Sequence, residues 1–328
     1  MKLKLFGKKS IAALSVVFCL AAGCGFSSVT LDDAYDVFDT SSAYGIGSEP
    51  VAVFGFSSDI AVPESDTIDN DAVDTGLAEA SLICDLNTNN ILCSKNVYEQ
   101  LYPASTTKIL TALVVLRNCS DLDATLTVSE NALALETGSS VAGLAVGDVI
   151  TVRDALYGMM MASGNDAAVA LAEYISGTTS AFADLMNDTA NSIGATNSHF
   201  VNPNGLHDAD HYTTAYDLYL IFNEAIKNET FYDIVTCREY SASYQDSTGA
   251  SVSKTWNSTC RYMAGTATAP DNVTVLGAKT GTTSTAGSCL VLLSENASGK
   301  KYISVALGAT TRDDVYSLMN QLMSLENE

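Results

Sequence analysis

The sequence predicts an α+β fold built in layers, because strand-like segments gather at two places and a helical stretch lies between them. Short apolar runs around an Asn-rich turn open the folded part, and alternating or continuous apolar runs close it. Between them the apolar residues recur at helical spacing. Hydrophobic residues make up 47% of the 328-residue chain, enough to build the core of one domain or two. The first and last strands are expected to share one antiparallel sheet. No internal repeat is visible.

The N-terminus carries Lys2, Lys4, Lys8 and Lys9, then an apolar run over 11–22 that is short for a membrane span. This is the basic and apolar pattern of a secretory signal over residues 1–23. The run closes with Leu20-Ala21-Ala22-Gly23-Cys24, which is similar to a lipobox with its leucine one place early. Cleavage before Cys24 leaves that cysteine for lipidation. The small residues Ala21 and Gly23 also suit an ordinary signal peptidase, and an uncleaved anchor is the third reading. Residues 24–76 hold 11 acidic side chains and no Lys or Arg. Such a stretch reads as an acidic, self-repelling tether, the alternative being a segment laid on the domain as an extra strand. A folded domain over 77–328 follows.

That domain opens with Ala80-Ser81-Leu82-Ile83-Cys84 and Ile91-Leu92-Cys93 around Asn87-Thr88-Asn89-Asn90, a predicted hairpin. A turn at Thr88-Asn89 places Cys84 opposite Cys93, as a cross-strand disulfide or, the preferred reading, as free buried thiols. A short strand is predicted at Thr125-Leu126-Thr127-Val128. Helices are predicted over 151–162, 165–176, 179–193 and 214–227. Strands are predicted over 273–282, 288–294 and 302–307, with a turn at Asn296-Ala297-Ser298-Gly299. A final helix covers 313–325.

Charge excludes some functions. The net charge of −22 repels nucleic acid and anionic lipid headgroups alike. The three histidines, His199, His207 and His211, share one polar stretch without a zinc-type ligand pattern and read as loop residues. No metal or cofactor is expected.

Chemistry enters with Ser105-Thr106-Thr107-Lys108, placed before the apolar run 109–116. On a helix, residues three apart share a face, so the Lys108 amine reaches the Ser105 hydroxyl. A serine needs a base to become a nucleophile, and a lysine serves when burial and nearby positive charge keep it neutral. Alone, Ser-x-x-Lys is a weak signal. Two further runs, Ser163-Gly164-Asn165 and Lys279-Thr280-Gly281-Thr282, follow in order. Glycine within a strand marks close backbone approach, here expected toward substrate.

With these three motifs the chain resembles the serine-type D-alanyl-D-alanine carboxypeptidases, the low-molecular-weight penicillin-binding proteins. The resemblance extends to Tyr102-Pro103-Ala104, Asp166-Ala167-Ala168, the stretch 200–206, His211-Tyr212 and the stretch 286–290, and covers about residues 77–325. It implies a β-lactamase/transpeptidase-like fold: an antiparallel sheet flanked by helices, a mostly helical subdomain, and the active site between them. It implies Ser105 as the nucleophile that forms an acyl-enzyme and Lys108 as its base. Lys279 supplies a second positive charge. Ser163 relays a proton to the leaving amine, and Asn165 holds Lys108 and the substrate amide. The backbone N–H groups of Ser105 and Thr282 form the oxyanion hole. Thr280 and Thr282 take the substrate carboxylate, and Arg312 stands near where relatives place an arginine for that purpose, with acidic neighbours at Asp313 and Asp314.

The implied partners are peptidoglycan stem peptides ending in D-Ala-D-Ala, and β-lactams as covalent inhibitors. The implied location is the cell envelope outside the cytoplasm. Relatives commonly add a C-terminal β-rich domain and a membrane-lying helix. The chain stops at Glu328 soon after its last predicted helix, so the N-terminal segment is expected to supply the membrane anchor. A class A β-lactamase is one alternative, but Asn202-Pro203-Asn204-Gly205-Leu206 offers no glutamate for the deacylating water. A non-catalytic penicillin-binding sensor domain is another, set against three intact motifs. A DD-endopeptidase shares the chemistry.

Overall fold

The computed structural model describes residues 60–327. The signal segment, Cys24 and residues 25–59 of the expected tether lie outside the described residues. The strands in chain order are β1 (Ala80–Asp85), β2 (Asn90–Lys95), β3 (Thr125–Thr127), β4 (Val149–Thr151), β5 (Glu239–Gln245), β6 (Ser251–Asn257), β7 (Val273–Thr283), β8 (Gly287–Asn296) and β9 (Lys301–Ala309). The helices are α1 (Lys108–Asn118), α2 (Val152–Met161), α3 (Asn165–Ser176), α4 (Thr179–Ser192), α5 (Ala215–Ala225), α6 (Glu229–Thr236) and α7 (Arg312–Ser324).

Five strands form the main sheet in the order β2-β1-β9-β8-β7, every neighbour antiparallel. The first and last strands of the domain therefore share one sheet, as expected. Both faces are covered, which is why these strands run apolar instead of alternating with polar residues. Leu82, Val291, Leu293, Val305 and Leu307 join the core on one face. Ile83, Leu290, Leu292 and Ala306 meet Val315, Leu318, Met319 and Leu322 of α7 on the other.

Helix α1 runs through the first of these cores, and Lys108 to Val115 are all buried. A helix apolar all round belongs in an interior. Burying each Leu, Ile or Val of it contributes roughly 1.5–3 kcal/mol. The consequence for function is that Lys108, at its first turn, is carried into the interior with it. Helices α2 to α6 surround α1 as the helical part. A second sheet, β3-β4-β5-β6, lies beside them.

Two expectations are corrected here. Residues 60–76 do not behave as the end of a tether. Ala61 is fully buried; its N–H donates to Tyr219 Oη at 3.0 Å and its carbonyl accepts from Tyr216 Oη at 3.0 Å. Ile68 and Ser94 exchange backbone hydrogen bonds at 2.9 Å, so the segment pairs with the edge strand β2. The acidic residues concealed this, because the backbone rather than an apolar pattern makes the contacts. Second, Cys93 lies opposite Ile83, and Cys84 opposite Ile91, because the register shifts at Ile83/Cys84. The two thiols point into opposite cores and are free, matching the preferred reading. Elements α6, β4, β5 and β6 go beyond what the sequence predicts.

Candidate active site

Ser105 lies in a 3-10 turn, Ala104–Thr107, which leads straight into α1. Ala104 has φ +48°, a left-handed conformation that costs a non-glycine residue about 1–3 kcal/mol. Ser163, at φ +55°, carries the same strain. Among the described residues, the other three non-glycine positions with positive φ are asparagines, which tolerate it. Strain on an alanine and a serine is thus confined to the two turns that bear the first two motifs.

The Lys108 amine is completely buried and bound on three sides. It lies 3.0 Å from Ser105 Oγ, 2.7 Å from Asn165 Oδ1 and 2.6 Å from the Asn204 carbonyl. An amide oxygen and a backbone carbonyl only accept. When the amine is neutral they take its two N–H groups. The remaining tetrahedral position is a lone pair aimed at Ser105, whose hydroxyl can then donate to it. Burial holds the Lys108 pKa well below the ordinary lysine range, and the charge of Lys279 lowers it further against the opposing charge of Asp166.

Lys279, on β7, donates to Ser163 Oγ at 3.0 Å and to the Thr280 carbonyl at 2.9 Å. Burial lowers its pKa to about 7. Gly281 brings β7 against the nucleophile turn. A Cβ at this position would stand 2.9 Å from the Pro103 carbonyl oxygen and 3.0 Å from Ser105 N. The close approach inferred from the glycine is thus made by β7 to the Ser105 turn, at a position that also borders the cleft. This packing sets the N–H of Ser105 beside β7 at Gly281-Thr282.

Gly164 caps α3, and Asn165 is its first helical residue with its side chain turned to Lys108. Among the described α-helices, α1 and α3 alone lack a side-chain N-cap. Thr151, Thr178, Thr214, Asn228 and Thr311 cap the other five. An N-cap is typically worth about 1 kcal/mol. The two helices that forgo it are those whose first turns meet in the site.

These residues border a cleft of about 280 Å³ lined by Ser105, Ser163, Thr280, Gly281 and Thr282. Arg312 lines it too, exposed at the first turn of α7. So does Arg261, which sequence reasoning missed; no local pattern marks it. Arg261 donates to Asp313 Oδ1 at 2.6 Å and lies 5.0 Å from the Tyr316 ring centre, so the acidic neighbour of Arg312 is engaged elsewhere. No lining residue is an Asp or Glu. Cys289 is a lining residue as well, and burial pushes its thiol up to about 12, which leaves it un-ionised and inert.

Two more residues support the nucleophile turn. Besides the Asn204 carbonyl, the Pro203 carbonyl accepts from Thr111 Oγ1 at 2.6 Å, which fastens the 202–206 loop to α1. His211, expected as a loop residue, is 1% exposed and packs edge-on against Phe200. Its Nδ1 accepts the Val201 N–H at 3.1 Å, so Nε2 carries the proton and donates to Thr107 Oγ1 at 2.8 Å. Thr107 donates in turn to the Ala104 carbonyl at 2.8 Å. Burial lowers the His211 pKa to about 4. The stretch 200–206 and His211-Tyr212 carry the family resemblance, but their contacts with Lys108 and Thr107 have no local signal.

Residues 67–311 match the family model described as D-alanyl-D-alanine carboxypeptidase. The chain is 32% identical over 243 residues to D-alanyl-D-alanine carboxypeptidase DacF of Bacillus subtilis, covering 71% of this chain and 58% of that one. It is 34% identical over 247 residues to a D-alanyl-D-alanine carboxypeptidase of a Streptomyces species, covering 71% of this chain and 82% of that one. The chain thus spans little more than half of the first relative's length. Among solved structures it is similar to a Streptomyces DD-transpeptidase, with TM-score 0.70, 31% identity, and coverage of 76% of this chain and 97% of that one. Similarity in both sequence and fold extends across all three motifs. The chain belongs to the D-alanyl-D-alanine carboxypeptidase family.

Proposed function

We propose that this protein removes the terminal D-alanine from peptidoglycan stem peptides through an acyl-enzyme on Ser105, and that β-lactams acylate the same serine. The observation that carries this reading is the Lys108 amine, buried, held by two pure acceptors and 3.0 Å from Ser105 Oγ. Ser105 Oγ attacks the carbonyl between the two D-alanines while its proton passes to Lys108. The oxyanion is taken by the N–H groups of Ser105 and Thr282. Ser163, bound to Lys279, relays the proton taken up by Lys108 to the leaving amine of D-alanine, so that Lys108 is neutral again when the amine departs. Water then frees the shortened peptide from Ser105. The substrate carboxylate is drawn by Lys279, Thr280, Thr282 and Arg312. Arg261 adds a further cation to a cleft without Asp or Glu, on a chain of net charge −22. The 202–206 loop that meets Lys108 carries Asn202 and Asn204 and no glutamate, which argues against a class A β-lactamase, since that enzyme needs a glutamate for the deacylating water.

The test is mass spectrometry after incubation with penicillin, alongside an assay of D-alanine release from a D-Ala-D-Ala peptide. A stable adduct on Ser105, lost in Ser105→Ala, together with D-alanine release, is expected. Rapid penicillin turnover without D-alanine release would reverse the reading. We further propose attachment outside the cytoplasm through a lipidated Cys24. The described residues contain no helix long and apolar enough to cross a membrane, and several acyl chains are needed for stable anchoring. Detergent partitioning should be lost in Cys24→Ser, and unmodified protein in the medium starting at Cys24 would count against lipidation.

A further inference from the structure

Asp166 takes no part in the chemistry above, yet it is fully buried in the first turn of α3. Its Oδ1 accepts the N–H groups of Ala142 at 2.7 Å and Ala167 at 2.9 Å. Its Oδ2 accepts those of Gly143 at 2.8 Å and Leu144 at 3.0 Å. Three consecutive N–H groups of one loop thus close around a single carboxylate, an arrangement suited to a buried anion. The carbonyls of the same loop are held from the other side. Trp256 Nε1 donates to the Ala142 carbonyl at 2.8 Å and Lys254 Nζ to the Gly143 carbonyl at 2.5 Å. The loop returns to the site through Ser140, whose carbonyl accepts the Asn165 N–H at 2.9 Å and which lines the cleft. Gly164 permits the close approach, since a Cβ there would stand 2.7 Å from Ala142 N.

We infer that Asp166 is a positioning residue for acylation: its carboxylate holds the 140–144 loop as one wall of the cleft and, through that loop, fixes Asn165 against Lys108. The inference rests on the Ser105–Lys108 reading above. A buried carboxylate and three backbone donors aimed from one loop specify each other's place, because neither is stable in the interior without the other. Asp166 also acts on Lys108 by charge. The ionisable groups facing Lys108 are Lys279 from β7, Asp166 from α3 and His211 from the loop before α5. Tyr244 is near the charges of both Asp166 and Asp148. The negative charge favours protonated Lys108. Its removal moves the pH at which Lys108 becomes neutral downward.

Penicillin acylation of Ser105 is measured across pH in the wild type, Asp166→Asn and Asp166→Glu, with circular dichroism as the check on folding. Asparagine turns an N–H2 group toward backbone N–H groups and removes the charge. Acylation should slow on the order of 10²-fold, and its acid limb should move to lower pH. Glutamate keeps the charge and misplaces the oxygens, so acylation should slow while the limb stays. A wild type that does not label at Ser105 overturns the parent reading. A wild type that labels, with both variants matching it in rate and limb, overturns this inference alone. If the Asp166 variants do not fold, Trp256→Phe releases the same loop at the Ala142 carbonyl. About tenfold slower acylation with an unmoved limb supports the assignment, and an unchanged rate overturns it.

Discussion

His211 offers a quantitative test of the network beneath the nucleophile. Buried, accepting from Val201 N–H and donating to Thr107, it must stay neutral in the folded protein. Its pKa is lowered to about 4, against 6.5 when unfolded. The unfolded chain therefore binds a proton between these values that the folded chain refuses. Stability from this group is fully present above pH 6.5 and is lost as pH falls toward 4. Integrating the linkage between these two values, the loss at pH 5 relative to pH 8 is about 2 kcal/mol. His211→Asn removes the titration but keeps a polar side chain. At pH 8 the variant should be less stable by about 1–3 kcal/mol, from broken hydrogen bonds and lost packing. At pH 5 that gap should shrink by about 2 kcal/mol. Urea unfolding of both proteins at pH 8, 6.5 and 5 measures this, and groups common to both chains cancel in the difference. A gap that stays constant with pH would show that His211 titrates alike in both states, and the neutral buried bridge to Thr107 would be refuted.

Two further outcomes follow from the site. Lys279→Met removes the charge that helps to depress Lys108, so the acid limb of kcat/KM should move to higher pH, opposite to the shift expected on neutralising Asp166; an unmoved limb would refute electrostatic coupling of the two lysines. Gly281→Ala places a Cβ 2.9 Å from the Pro103 carbonyl oxygen and 3.0 Å from Ser105 N, both backbone. Acylation should fall on the order of 10²-fold while overpacking costs the fold about 1–3 kcal/mol, read by labelling rate and thermal melting, and wild-type labelling would refute the close contact.

The parts of this protein that sequence by itself determined are those whose signals are local. Helical period placed α2 to α5 and α7 within a residue or two, since an amphipathic stripe is a signal carried by neighbouring turns of one segment. The apolar runs of β7 to β9 marked a sheet covered on both faces. Ser105, Lys108, Ser163, Asn165 and Lys279 were legible because motif chemistry demands those residue types at short spacing, and the folded chain brings them together. The β5–β6 hairpin was hidden by its Ser- and Thr-rich outer face, although Tyr240, Ala242 and Tyr244 alternate inward.

Tertiary structure alone decided the rest. Only packing brings the Asn204 carbonyl to Lys108, His211 to Thr107 and Arg261 into the cleft, because each partner lies far away along the chain and carries no mark of its destination. Residues 60–76 join the domain through backbone pairing and tyrosine hydroxyls, which composition does not record. The basicity of Lys108 belongs to this class too. A lysine is an ordinary cation until the fold removes its water, lends it two fixed acceptors and sets Lys279 nearby.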